Sequence, residues 1–319
     1  MKILVIGAGV IGTAYAWVIH EAGYDVTLYV RPHKLEAMRE VHISCLDKRR
    51  KKPVQINTIY RPKVTDQFTS ADGYDLILVC VKYNQLESVL PMLAEAAGEA
   101  DILFFQNMWE IRKKIEPYLR ASQYFLGFPS VGGGKTENRL DCFLESSFAV
   151  PNLLGEVNGE ITPRVKAAAA IFKQAGFKPV VSKYMTTWLT THYVWAASFL
   201  GGVVKAGSVE EFSRNPVFIK ETYLAMREGF RVCRQKGFEV KKVAPQSLYD
   251  TLPLFLLTMV TRKMFQQEEM QNMLKAHIAH SPDEMLGMYY DVLNDGQAKN
   301  IEIPYYIGFK DHIDKYFTQ

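Results

Sequence analysis

Hydrophobic positions fall in short unbroken runs through the first half of the chain and at helical spacing through the second. "KILVIGAG" opens on a continuous apolar run, the pattern of a strand buried on both faces of a parallel sheet. "VIGTAYAWVIHEAG" then reads as a helix ending at Gly23, and "DVTLYV" as the second strand. Two more buried runs, "YDLILVCVK" and "DILFFQN", end in Lys82 and Asn107, and "FKPVVSKY" reads as a last strand. From about residue 185 the spacing turns helical at Trp188, Thr191, Trp195 and Phe199. "NPVFIKETYLAMREGFRVCRQKG" and "LPLFLLTMVTRKMFQQEEMQNMLKAHIA" continue as long helices, with breaks at Gly207–Ser208 and Gly237. No internal repeat or low-complexity segment is evident, and the spacing of "EMQNMLK" suits core packing better than a methionine-rich partner surface.

Between the first strand and the first helix the chain reads Gly7-Ala8-Gly9-Val10-Ile11-Gly12. This G-x-G-x-x-G spacing, inside a strand–turn–helix–strand unit of about 30 residues, predicts a dinucleotide site. Gly7 permits a tight turn, Gly9 lets backbone approach a diphosphate, and Gly12 lets helix and strand pack closely. The helix N-terminus offers unbonded N–H groups and partial positive charge. The pattern predicts an α/β fold: an N-terminal Rossmann domain with a doubly wound parallel sheet over residues 1–183, then an all-helical domain over 184–319. At the end of the second strand an acid would bind the ribose 2′-hydroxyl of NAD(H). The chain has Arg31 instead, with His33 and Lys34 close behind. A guanidinium favours a 2′-phosphate by charge and by bidentate geometry, so NADP(H) is the expected coenzyme. A solvated basic turn is the alternative. Ligands of doubly wound sheets bind outside the carboxyl ends of the strands, which puts Lys82 and Asn107 at the functional edge.

Composition narrows the partners. With 38 basic and 34 acidic residues the net charge is +4, too balanced to argue for nucleic acid. Cys45, Cys80, Cys142 and Cys233 are far apart and form no C-x-x-C pair, so neither a disulfide framework nor a metal site is expected. The first apolar run lacks the cationic region of a secretory leader. The apolar stretch "TLPLFLLTMV" falls well short of the ~20 residues that span a bilayer. A cytoplasmic protein with a small-molecule partner is expected, and a homodimer through the helical domain is compatible with the pattern.

"VIGAGVIG", "VTLYVRP", "VCVK" and "FQN" stand in the order and spacing of the ketopantoate reductase (2-dehydropantoate 2-reductase) family, which the chain resembles. The segment "YYDVLNDGQAKNIEIPYYIGF" is similar to a late stretch of that family, with Asp291, Glu302 and Gly308 in corresponding places. The resemblance implies a Rossmann domain followed by a helical domain, an active site in the cleft between them, and NADPH-dependent reduction of a 2-keto acid to a 2-hydroxy acid. It implies that Asn107 helps to hold nicotinamide and substrate, that Lys82 lies near the coenzyme, and that Glu302 hydrogen-bonds a substrate hydroxyl.

One helix departs from the family. Where the family reads W-x-K-L-x-x-N-x-x-x-N, Trp188 aligns the lysine with Thr190 and the two asparagines with Val194 and Ser198. In the family that lysine is the general acid that protonates the carbonyl oxygen. A threonine hydroxyl can hydrogen-bond a carbonyl but is far too weak an acid to replace an ammonium. A family serine is also lost, since Gly287 stands four residues before Asp291. Thr191, His192, Lys205, Lys82 and Lys135 are the candidates to substitute. His192 should face away from Thr190, about 200° round the helix. Lys135, in "GFPSVGGGKTEN", is expected on a mobile loop with no second nucleotide site. Val194 with Trp188, Trp195 and Phe199 hints at a less polar pocket. Two function classes follow: an NADP(H)-dependent reductase of a 2-keto acid or related carbonyl, with Asn107, Thr190 and Glu302 at the reacting centre, or a non-catalytic NADP(H)-binding sensor of the same fold.

Overall fold

The first apolar run forms β1 (Lys2–Ile6), a central strand of an eight-stranded sheet. The computed structural model describes residues 1–145, 152–267, 270, 271, 275 and 282–318. Beside β1 lie β2 (Asp25–Tyr29) and β5 (Lys63–Thr65) on one side, and β6 (Leu76–Val79), β7 (Asp101–Phe104) and β8 (Tyr124–Phe128) on the other, all parallel. β11 (Asn152–Gly155) runs antiparallel to β8 and carries the edge strand β12 (Pro179–Val181) parallel to itself, so the far edge of the sheet is reversed. Helices α1 (Val10–Glu21), α2 (Leu86–Ala96), α3 (Ile111–Ile115) and α4 (Pro163–Gln174) connect the strands. The continuous apolar runs are explained by burial on both faces. Ile3, Val5, Leu76, Leu78, Leu103 and Phe125 join one core with Ala14 and Val18 of α1 and Val165 and Ile171 of α4. Their neighbours Leu4, Ile6, Ile77, Val79 and Ile102 are buried away from that cluster.

A second sheet went unseen in the sequence pattern. It consists of β4 (Val54–Tyr60), β3 (Val41–Asp47), β10 (Arg139–Leu144) and β9 (Val131–Lys135), in that order. β3 alternates buried with more exposed positions, and Val41, Ile43, Cys45, Leu140, Cys142 and Leu144 pack into the same core as α1. "VGGGK" is therefore not a mobile loop but strand β9, antiparallel to β10, with Lys135 opposite Leu140. Its glycines make room: a Cβ at Gly132 would lie 2.4 Å from the Phe143 ring. At the end of β3, buried Asp47 accepts hydrogen bonds from Arg49 Nε at 2.9 Å and Nη2 at 2.8 Å. Arg49 Nη1 donates onward to the Ala175 carbonyl just past α4, and the guanidinium lies over Phe177.

The chain divides into two compact units, one of Met1–Gln106 with Glu110–Thr186, the other of Asn107–Trp109 with Thr187–Gln319. The second unit is helical: α5 (Met185–Ala206), α6 (Val209–Arg214), α7 (Pro216–Gln235), α8 (Gln246–Thr251), α9 (Leu254–Phe265), α10 (Pro282–Ala298), α11 (Pro304–Ile307) and α12 (Lys310–Phe317). Ser208 and Asn215 cap α6 and α7, their side-chain oxygens accepting from Glu211 N and Val217 N at 3.0 Å each. Phe199, Phe212, Phe230, Phe265, Tyr289 and Phe309 form its core. Buried Glu228 on α7 accepts from the Tyr306 amide at 2.8 Å and the Tyr305 amide at 3.3 Å, in the first turn of α11. Of "EMQNMLK" only Met270, Gln271 and Lys275 are among the described residues. No helix among the described residues is long and apolar enough to cross a membrane.

Candidate functional site

The strand order β7–β6–β1–β2 reverses direction between β1 and β6, which makes their carboxyl ends the switch point of the sheet. Gly7 leaves β1 with φ +109°, and a Cβ there would lie 2.8 Å from the Cys80 carbonyl carbon and 2.9 Å from the Val81 nitrogen. A Cβ at Gly12 would fall 1.9 Å from the Gly7 oxygen. Both positions therefore require glycine for close packing. Gly9 differs, since a Cβ there would meet nothing within 4 Å. Space stands open above this turn. Helix α1 starts at Val10 with Gly9 as its cap and no side chain bonded to its first amides. Those amides have no intrahelical partner and carry the positive end of the helix dipole. Residues Ala8, Val10 and Ile11 thus line a backbone cradle suited to an anion.

Arg31 follows β2 and begins a tight turn in which Lys34 N donates to Arg31 O at 2.8 Å. Its side chain is exposed and has no hydrogen bond or ion pair among the described residues. At the end of β6, Lys82 is exposed and precedes the short turn Tyr83–Gln85. Gln106, one residue beyond Phe105, donates from Nε2 to the Val79 and Val81 carbonyls at 3.2 and 3.0 Å. It ties the end of β7 to the end of β6, the strand beside the cradle. The family pair "QN" contains it, but the sequence reading gave the role to Asn107 alone.

Asn107, Thr190 and Glu302 all belong to the helical unit. Asn107 Oδ1 is buried and has no hydrogen-bond partner among the described residues. Its segment is anchored by Trp109, whose Nε1 donates to Asp295 at 2.6 Å; Lys236 donates to the same carboxylate at 2.5 Å and lies over the Trp109 ring. Burial pushes the Asp295 carboxyl up, and the Lys236 and Trp109 bonds outweigh it, leaving its pKa below the ordinary value. Sequence spacing gave no signal of this triad, because Trp109 and Asp295 are 186 positions apart.

Thr190 is buried on α5. Val194 belongs to the helical core and faces Gly229 of α7, where a Cβ would lie 2.4 Å from a Val194 methyl. Ser198 is buried and donates to the Val194 carbonyl at 2.8 Å. Val194 and Phe199 are thus packing residues, which removes two of the four side chains behind the expected apolar pocket. His192 is stacked between Trp188 and Trp195, ring centroids 4.7 and 5.1 Å away. Lys205 is tied to Glu221 at 2.8 Å. Asp291 accepts from the Tyr193 hydroxyl at 2.6 Å, and burial followed by that carboxylate pushes the tyrosine pKa up. Glu302 is exposed, and its backbone carbonyl accepts from Arg231.

Residues 3–142 match the family described as Ketopantoate reductase PanE/ApbA. Solved structures extend the likeness over the remainder. A 2-dehydropantoate 2-reductase from Geobacter metallireducens GS-15 shares 17% identity, over 99% of this chain and 100% of that one, with a TM-score of 0.74. D-mandelate dehydrogenase, in a ternary structure with NADH and anilino(oxo)acetate, shares 15% over 99% and 97%, with a TM-score of 0.72. A dimeric ketopantoate reductase from Staphylococcus aureus shares 15% over 99% and 98%, with a TM-score of 0.69. At such identities the structural likeness is one of fold. Residues 3–142 carry the domain of the ketopantoate reductase PanE/ApbA family, and the chain as a whole has the fold of the 2-dehydropantoate 2-reductases.

Proposed function

We propose that the protein is a cytoplasmic NADP(H)-dependent oxidoreductase that reduces a 2-keto acid or related carbonyl to the hydroxy compound, as a 2-dehydropantoate 2-reductase does. One observation carries it: the turn Gly7–Gly12 is open above Gly9 at the switch point, and the guanidinium of Arg31, unpaired among the described residues, stands at the end of the neighbouring strand. The residues present fit the coenzyme. The first-turn amides of α1 take the diphosphate, Arg31 takes the 2′-phosphate, and Lys82 lies at the same sheet edge. A neighbour of this fold is recorded with NADH, so the fold alone does not choose the phosphate, and the support for NADP(H) is the guanidinium of Arg31.

Bound NADPH supplies the hydride. Asn107, whose buried Oδ1 has no partner among the described residues, would hydrogen-bond nicotinamide and substrate, Glu302 would accept from a substrate hydroxyl, and Thr190 would donate a hydrogen bond to the carbonyl oxygen, which would take its proton from solvent water as the hydride arrives. The dimeric Staphylococcus aureus neighbour supports a homodimer for this chain too.

Arg31→Asp should weaken NADPH binding by about 100-fold and NADH binding by less than tenfold, measured calorimetrically; equal losses would count against the 2′-phosphate assignment. Turnover tests the reaction. NADPH fluorescence should fall when a panel of 2-keto acids and aldehydes is added. Tight NADPH binding with no oxidation would instead support the second reading, a non-catalytic NADP(H) sensor, which is favoured by Thr190 in the lysine position and by Lys205 locked to Glu221.

A further inference from the structure

Lys135 is the third basic residue to converge on the turn that follows β2. The backbone from Arg31 to Met38 is closed by Lys34 N→Arg31 O at 2.8 Å and Met38 N→Lys34 O at 3.0 Å. Met38 is buried, and Lys135 Nζ rests 3.3 Å from its sulfur. The other bonds of Lys135 go to the Thr136 and Glu137 carbonyls at 3.0 and 2.8 Å. Every hydrogen-bond partner is neutral, and no carboxylate pairs with Lys135 among the described residues. Burial and then the nearby charge of Lys34 hold its pKa below the ordinary lysine value, opposed by Glu137. A half-buried ammonium beside a second cation, bonded only to neutral groups and offset in part by the exposed Glu137 carboxylate, has capacity for a further anion.

We propose that Lys135, together with Arg31 and Lys34, forms the subsite for the phosphate monoester on the adenosine ribose, and that Lys135 is a specificity-determining residue for the coenzyme. The proposal rests on the NADP(H) reading given above. β9 is the reason the residue can serve: as a strand held on β10, it presents the ammonium from a fixed position, which a mobile loop would not. A phosphate there completes a three-cation site with bonds in which donor and acceptor are both charged, which neutral carbonyls cannot supply.

The test compares NADPH and NADH affinity by calorimetry in Lys135→Met, which keeps an unbranched side chain of similar length, in Lys135→Arg, and in Arg31→Ala. The expected result is a loss of about tenfold or more for NADPH in Lys135→Met with NADH changed less than twofold, and recovery of most NADPH affinity in Lys135→Arg. If Arg31→Ala is selective against NADPH while Lys135→Met is not, the inference fails and the NADP(H) reading stands. If neither variant distinguishes the two coenzymes, the NADP(H) reading fails and takes the inference with it. Equal losses of both coenzymes in Lys135→Met, with a lowered melting temperature, would assign Lys135 to holding the hairpin and overturn the proposal.

Discussion

Consider a methyl group added at Gly9. Its backbone has φ −82° and ψ −164°, a region any residue adopts, and the new Cβ would meet nothing within 4 Å. The folded state loses nothing, and the unfolded chain loses freedom, so Gly9→Ala should stabilise by about 0.4–1 kcal/mol. In melting temperature that is a rise of about 1–4 °C. Gly12→Ala is the internal contrast, since its Cβ would fall 1.9 Å from the Gly7 oxygen. Backbone would have to move by more than 1 Å to reach an ordinary contact of about 3.5 Å, and overpacking of this kind costs about 1–3 kcal/mol. The stability order is therefore Gly9→Ala, wild type, Gly12→Ala. For the coenzyme the order is different. A diphosphate oxygen bonded to a first-turn amide stands about 2.9 Å from nitrogen, and a methyl at Gly9 occupies the space it approaches through. Losing one charge-assisted bond of about 1.5–3 kcal/mol weakens NADPH by about 10- to 100-fold. Scanning calorimetry gives the first order and titration calorimetry the second. A Gly9→Ala protein that melts no lower than wild type and binds NADPH as tightly would refute the assignment of this turn to the diphosphate.

Two polar contacts give predictions about stability alone. Asp47 is buried, which pushes its carboxyl up, but the Arg49 bonds outweigh burial and leave its pKa below the usual 3.8. Its stabilising share is therefore present above the unfolded-state pKa and disappears as pH falls through the folded value. Asp47→Ala should cost about 3–5 kcal/mol near neutral pH, with the gap to wild type narrowing toward pH 3 in urea titrations; a pH-independent gap would contradict the ion pair. Glu228 has the opposite sign, since burial raises its pKa above 4.5 against the pull of the Tyr306 and Tyr305 amides and Arg231. Its contribution is full below the unfolded value and fades as pH rises through the folded one. Thermal melts should show the wild type gaining on Glu228→Gln between pH 7 and pH 5, and a constant difference would remove burial as the controlling term.

What the sequence disclosed was local, and what it withheld was brought together across long separations. The cradle at Gly7–Gly12 is a single turn, and its three glycines, the uncapped helix start and Arg31 all lie within one strand–helix–strand unit, so spacing alone identifies them. Lys135 belongs to the same corner of the fold, but it arrives on β9, 97 positions after Met38, and three glycines in front of it have the composition of a loop. Only the register against β10 turns them into a strand. The helix carrying Thr190 shows the same limit from the other side. The resemblance, aligned on Trp188, sets Thr190, Val194 and Ser198 against a lysine and two asparagines, an expectation read from the sequence alone. What the change means depends on α7: Gly229 has no side chain where Val194 has two methyl groups, and the two fit each other at a distance that leaves no room for a Cβ. A valine matched to a glycine in this way is committed to helix packing. Position 194 therefore serves the contact between α5 and α7, and the polar group proposed above for the substrate is Asn107, whose buried Oδ1 has no hydrogen-bond partner among the described residues.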